Sequence, residues 1–130
     1  VPIDHAAFQV SDLDRSIQFY KEKLGLEHLF TTLDEAHNER YAYFELGGEK
    51  LELLQLLDDT GKPLPYNPKP PMPPYCPHLA IGVDNLDREV ESLKGRGIPI
   101  LSGPHETPGK VKWLYIADPD SNVLEYVEWF

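Results

Sequence analysis

The chain repeats itself once, and this restricts its architecture more than any local propensity. A shift of 73 positions lays Val10, Leu13, Asp14 and Arg15 on Val83, Leu86, Asp87 and Arg88 without a gap, and lays Leu51 and Glu52 on Leu124 and Glu125. Self-similarity at a fixed period marks a duplicated supersecondary unit. A unit present only twice does not build an open solenoid, so the expectation is a domain with two-fold pseudo-symmetry. The 130 residues are one domain's worth, enough to bury roughly two-thirds of the surface that the unfolded chain exposes.

In the first copy, residues 3–10 are short and largely apolar and run into Ser11 and Asp12, both good helix N-caps. Leu13, Ile17, Tyr20 and Leu24 then recur at helical spacing until Gly25. Residues 27–33 and 40–46 read as strands, and Gly47-Gly48 turns the chain into a strand over 50–57. The second copy repeats the order. A strand over 78–83 leads through a cap at Asp84 or Asn85 into a helix over 86–94, which Gly95 and Gly97 end. Strands over 98–101, 112–117 and 122–130 follow, the last two joined by the turn Asp118-Pro119-Asp120-Ser121.

Each copy is therefore β-α-β-β-β, with a first module over 1–57, a linker over 58–77 and a second module over 78–130. Residues 61–77 hold eight of the chain's 13 prolines, which keeps them out of a central sheet and favours extended polyproline conformation. The linker reads as a strap of fixed reach, with Tyr66, Met72 and Tyr75 as candidates to form a lid.

Charge and cysteine content narrow the setting. Twelve basic residues against 22 acidic ones give a net charge of −10, which repels a phosphate backbone and disfavours nucleic-acid binding. A single cysteine, Cys76, forms no intrachain disulfide, so a reducing cytoplasm is the expected compartment. No apolar run approaches the length of a membrane span, and no leader-like start is visible, so a soluble protein without membrane contact is expected.

Four residues stand out against the repeat. His5 precedes Glu52 by 47 residues, and His78 precedes Glu125 by the same 47. Strand alternation puts Glu125 on the face of Val123, Val127 and Trp129, and Glu52 on the face of Leu54 and Leu56. A carboxylate in an apolar row needs a partner, because burying it unpaired costs several kcal/mol or neutralises it. Ala7 and Ala80, two residues beyond each histidine, leave room for a metal ion and for something bound to it. A lone strand histidine is more often hydrogen-bonded to backbone than bound to metal, but four potential ligands falling pairwise on equivalent positions point to a metal site. His28, His37 and His105 read as solvated. Asp12, Asp14 and Arg15 head a helix, where acids complement the dipole, and Cys76 has no activating arrangement.

The segments DHAAFQVSDLDRSIQFYKEKLGLE, KLELLQ, PHLAIGV and ADPDSNVLEYVEW together resemble the vicinal oxygen chelate superfamily, which includes glyoxalase I, methylmalonyl-CoA epimerase, extradiol dioxygenases and antibiotic-resistance proteins. The resemblance covers nearly the whole chain. It implies an α+β fold in which two βαβββ modules form a curled mixed sheet around a cleft, with the metal inside. It also suggests a homodimer, to which the terminal Trp129 and Phe130 could contribute. The set His5, Glu52, His78 and Glu125 is similar to the ligands of glyoxalase I. Relatives that modify fosfomycin and the dioxygenases use three protein ligands, bleomycin-sequestering ones lack the site, and the epimerases usually carry glutamine in place of Glu52. Gln9 stands where glyoxalase I has an arginine that holds a glutathione carboxylate.

Two imidazoles and two carboxylates suit one divalent ion such as Ni, Co, Zn, Fe or Mn, and a six-coordinate ion would keep two positions open for adjacent oxygens of a small-molecule substrate. The implied chemistry is a lyase or isomerase reaction of lactoylglutathione-lyase type, with proton transfer through an enediolate on a hemithioacetal or related α-hydroxycarbonyl compound. Glu125 is the first candidate for the base and Glu52 the second, while His5 and His78 serve as fixed ligands. Lys110 and Lys112 are candidate substrate anchors, and Trp113 and Tyr115 candidate cleft walls. The alternatives are an acyl-CoA epimerase and a non-catalytic protein that binds a small molecule such as an antibiotic.

Overall fold

In a computed structural model that describes all 130 residues, the first half runs as β1 (His5–Gln9), α1 (Leu13–Gln18), β2 (His28–Asp34), β3 (Glu39–Leu46) and β4 (Glu49–Leu56). The sheet order is β1-β4-β3-β2, with β1 parallel to β4 and the other pairs antiparallel. Parallel pairing of the first and last strands needs a crossover, and α1 supplies it. Asp12 caps α1 by accepting from the Arg15 N–H. The helical run then widens into a π-helical turn, Phe19–Lys23, so the expected single α-helix is in fact two segments. Ser16 is buried in place of the expected Ile17, together with Leu13, Tyr20 and Leu24. These pack on one face of the sheet against Ala42, Phe44, Leu51 and Leu53, all fully buried. Each large apolar side chain so buried contributes about 1.5–3 kcal/mol.

One buried amide fixes the helix to the sheet. The Gln55 side-chain oxygen accepts from the Leu13 N–H at 3.1 Å, and its nitrogen donates to the Ser11 carbonyl at 2.9 Å. The first bond satisfies an N–H that a helix start leaves without a partner, and the second ties down the residue before the cap.

The second half runs as β5 (His78–Gly82), α2 (Leu86–Gly95), β6 (Ser102–Thr107), β7 (Val111–Ala117) and β8 (Val123–Trp129), in the sheet order β5-β8-β7-β6. β5 is parallel to β8. Asn85 caps α2 by accepting from the Arg88 N–H, and Leu86, Leu93, Ile98, Leu114, Ile116 and Leu124 form the core between helix and sheet.

The strand expected over 98–101 is not formed. Ile98 is buried, and its N–H bonds the Leu93 carbonyl at 2.9 Å, so it finishes the helix instead of starting a strand. The strand begins at Ser102 and carries Pro104, which is tolerated because β6 is an edge strand with its register broken between Ser102 and His105. The chain divides into two compact units, Val1–Pro68 and Lys69–Phe130, within the proline-rich stretch. That stretch contributes only an isolated bridge, Leu57 to Pro63. No helix is long and apolar enough to cross a membrane.

Candidate functional site

The parallel register in the first unit sets Ala7 beside Glu52 and His5 beside Lys50, so His5 and Glu52 share the sheet face opposite α1. The His5 Nε2 stands 3.4 Å from the Glu52 Oε1. On the other side of the ring, Nδ1 donates to the Asp4 carboxylate at 2.7 Å, and the Lys50 ammonium donates to the same group at 3.1 Å. These hydrogen bonds, first from His5 and then from Lys50, hold the Asp4 carboxyl below its usual range. Tyr43 lies directly opposite Glu52 across β3 and β4, and its ring meets the His5 ring edge-on at 5.5 Å. Burial first, and the Glu52 charge second, raise the Tyr43 phenol above the ordinary tyrosine value.

The second unit builds the same group. Ala80 pairs with Glu125, and the His78 Nε2 stands 3.0 Å from the Glu125 Oε1. The His78 Nδ1 bonds the Tyr75 carbonyl at 2.9 Å. Tyr115 lies opposite Glu125 and meets the His78 ring edge-on at 5.3 Å. Its phenol is raised by burial first and by Glu125 second.

The protonation logic of His78 is decisive for what this group can hold. A carbonyl oxygen only accepts, so Nδ1 carries the proton, and in the neutral ring Nε2 presents its lone pair to a carboxylate oxygen. Two acceptors do not face each other bare at 3.0 Å: one of them carries a further proton, or a metal ion lies beside both. An imidazole anchored through one nitrogen with the other aimed at an acid is the arrangement of metal-ligating histidines, so these donors fit a divalent ion. His5, bonded to Asp4, is arranged in the same way. Within neither unit do three or more His, Cys, Asp or Glu side chains converge.

Among the candidate substrate contacts, Trp113 and Tyr115 lie on the Glu125 face, where the Trp113 ring packs on His105 at 5.4 Å. Lys112 lies on the opposite face, 3.8 Å from both Asp87 and Glu106, with its ammonium over the Phe130 ring. Lys110 is exposed in the turn before β7. The structure therefore brings neither lysine beside Glu125. Tyr43, Asp4 and the Tyr75 carbonyl were not anticipated from sequence. The signal for Tyr43 was a tyrosine opposite a candidate ligand in each hairpin, offset by one residue from the repeat.

The family model described as the Glyoxalase/Bleomycin resistance protein/Dioxygenase superfamily matches residues 2–126. The chain belongs to that superfamily. Its two four-stranded mixed sheets are those of the glyoxalase, or vicinal oxygen chelate, fold. A glyoxalase-family protein of solved structure from Enterococcus faecalis is 29% identical, with a TM-score of 0.74 and coverage of 98% of this chain and 97% of that one. Among curated glyoxalase-superfamily relatives, lactoylglutathione lyase of Haemophilus influenzae is 31% identical over 129 residues, spanning 95% of this chain and 90% of that protein. Metallothiol transferase FosB of Shouchella clausii is 32% identical over 128 residues, spanning 95% and 77%.

Proposed function

We propose that this protein is a metal-dependent lyase or isomerase of glyoxalase type, acting on a hemithioacetal or a related α-hydroxycarbonyl compound. The observation that carries this reading is the facing of the His78 lone pair and the Glu125 carboxylate at 3.0 Å, with Nδ1 anchored on a carbonyl. Each unit supplies one histidine and one glutamate, so the donors offered for a divalent ion are His5 and Glu52 in the first unit and His78 and Glu125 in the second. When bound, the ion would supply Lewis-acid polarisation of a substrate carbonyl.

The chain's own groups divide the remaining work. His5 and His78 hold position, because each ring is fixed through its Nδ1. A glutamate carboxylate takes the proton from the carbon α to the carbonyl and returns it to the neighbouring carbon, with Glu125 as the first candidate and Glu52 as the second. Tyr43 and Tyr115 stand opposite these glutamates across the strand pair and set an aromatic wall beside each carboxylate. The lactoylglutathione lyase relative supports the reaction type.

The test is thioester formation from methylglyoxal and a panel of thiols by metal-loaded protein, followed by ultraviolet absorbance. Turnover that requires metal, and is lost in Glu125→Gln protein that still takes up one ion per chain, is the expected result. Absence of turnover with every thiol at saturating metal would remove the glyoxalase reading.

A further inference from the structure

The sheet face that carries His5 and Glu52 also carries a row of aromatic rings. Cross-strand register runs Glu52, Tyr43, Phe30 from β4 to β2, and Leu54, Tyr41, Thr32 one pair along. Phe30 stacks on Tyr43 at 5.1 Å with 25° between the planes, and Tyr41 meets Tyr43 edge-on at 5.8 Å. Phe30 remains 47% exposed, so the platform beside the carboxylate is open on its outer ring. The second unit repeats the theme, with Tyr75 against Tyr115 at 5.0 Å and Trp113 two residues along the strand.

The same faces offer no free cation to a substrate anion. Three strand residues are basic: Arg40, Lys50 and Lys112. Arg40 lies on the helix side, 3.1 Å from Asp14 of α1, and Lys112 pairs with Asp87 of α2. Lys50 shares the row of His5 but is bonded to Asp4. Gln9, farther along that row, is neutral. Glu45 and Glu52 stand on this face of the first unit, so a remote carboxylate or phosphate brought there meets acids and rings. An anion stripped of water without a partner is strongly disfavoured.

Resting on the proposed metal-dependent chemistry, we infer that the substrate lays an aryl ring on the Phe30–Tyr43–Tyr41 platform and carries no carboxylate or phosphate group. This class excludes conjugates of glutathione and of coenzyme A.

Calorimetric titration of the zinc-loaded and metal-free protein with 2-hydroxyacetophenone, its 4-carboxylate derivative and hydroxyacetone tests the inference. The phenyl compound is expected to bind about tenfold more tightly than either of the others to the loaded protein, the ring preference following from aromatic stacking and burial. Phe30→Ala should erase the preference over hydroxyacetone while leaving zinc stoichiometry unchanged. Equal affinity for the carboxylate, equal affinity for hydroxyacetone, or no binding of any probe overturns the inference. Deuterium uptake from solvent at the α carbon separates it from the reaction itself. A ring preference without exchange keeps the substrate class and removes the proton transfer. Exchange as efficient with a glutathione hemithioacetal keeps the chemistry and removes the substrate class.

Discussion

The two halves of this molecule share a topology and a facing histidine–glutamate pair but hold their histidines differently. In the first unit the imidazole is anchored on a carboxylate, Asp4, whose side chain is 70% exposed; in the second it is anchored on a backbone carbonyl, that of Tyr75. A carboxylate makes an imidazole a stronger base than a carbonyl does, and a carbonyl is an acceptor at every pH. The spacings differ as well: 3.4 Å from His5 to Glu52 against 3.0 Å from His78 to Glu125. Duplication has thus preserved the donors, which register dictates, and left their outer partners to diverge.

The helix anchors diverge too. Gln55 both accepts and donates, whereas its counterpart Glu128 accepts from the Leu86 N–H at 2.8 Å and, as a carboxylate, has no proton to donate. Two buried positions differ in kind: Leu53 in the first half stands where Tyr126 stands in the second, and Tyr20 stands where Leu93 does.

The sharpest way to break the equivalence is to remove one carboxylate at a time. Glu125→Gln should lower turnover by about 10²- to 10⁴-fold if it is the base, and Glu52→Gln by less. Steady-state kinetics on metal-loaded variants checks this, and equal losses would make the halves interchangeable. Asp4→Asn should weaken metal affinity by about tenfold, measured by chelator competition, since outer partners of a ligating histidine typically carry that much. Gln55→Glu should cost about 1–3 kcal/mol in denaturant unfolding, because the Ser11 carbonyl loses its donor. The reciprocal Glu128→Gln should change stability by less than about 1 kcal/mol.

The smallest effect concerns alkaline pH. Burial first, and Glu89 second, raise the Tyr126 phenol above its ordinary value of 10.0. The unfolded chain therefore loses this proton before the folded one does, so the phenol's contribution to stability is complete below pH 10 and is lost as pH rises through the folded value. Tyr126→Phe should flatten the fall in melting temperature above pH 10, with no change at pH 7.

Much of this was legible in the chain itself. The 73-residue shift predicted the βαβββ order, and the matched positions of His5 with Glu52 and of His78 with Glu125 singled out two side-chain pairs that the parallel register of first and last strands puts on one sheet face in each unit. Ile98 misled because a short apolar run after a helix looks the same whether it opens a strand or closes the helix core. Lys112 and Trp113 were nominated for one cleft although neighbouring strand residues point to opposite faces, so alternation alone would have separated them. Tyr43 escaped because its hairpin turns on two residues, Gly47 and Gly48, while the matching turn between Asp118 and Asn122 holds three, which shifts the partner tyrosine by one. Asp4 and the Tyr75 carbonyl are local contacts with no echo in the repeat.

Those unequal turns carry a practical meaning. The extra residue is absorbed at the hairpin tip, where Ser121 takes a positive φ of 65° and Asp118 accepts the N–H groups of Asp120 and Asn122, and a tyrosine still faces a glutamate in both sheets. Length is therefore tolerated at the tip without a slip of the strands below it. The Gly47-Gly48 turn is accordingly the place to splice in a tag, a fluorophore site or a short reporter peptide while leaving the chemistry of its own sheet in register.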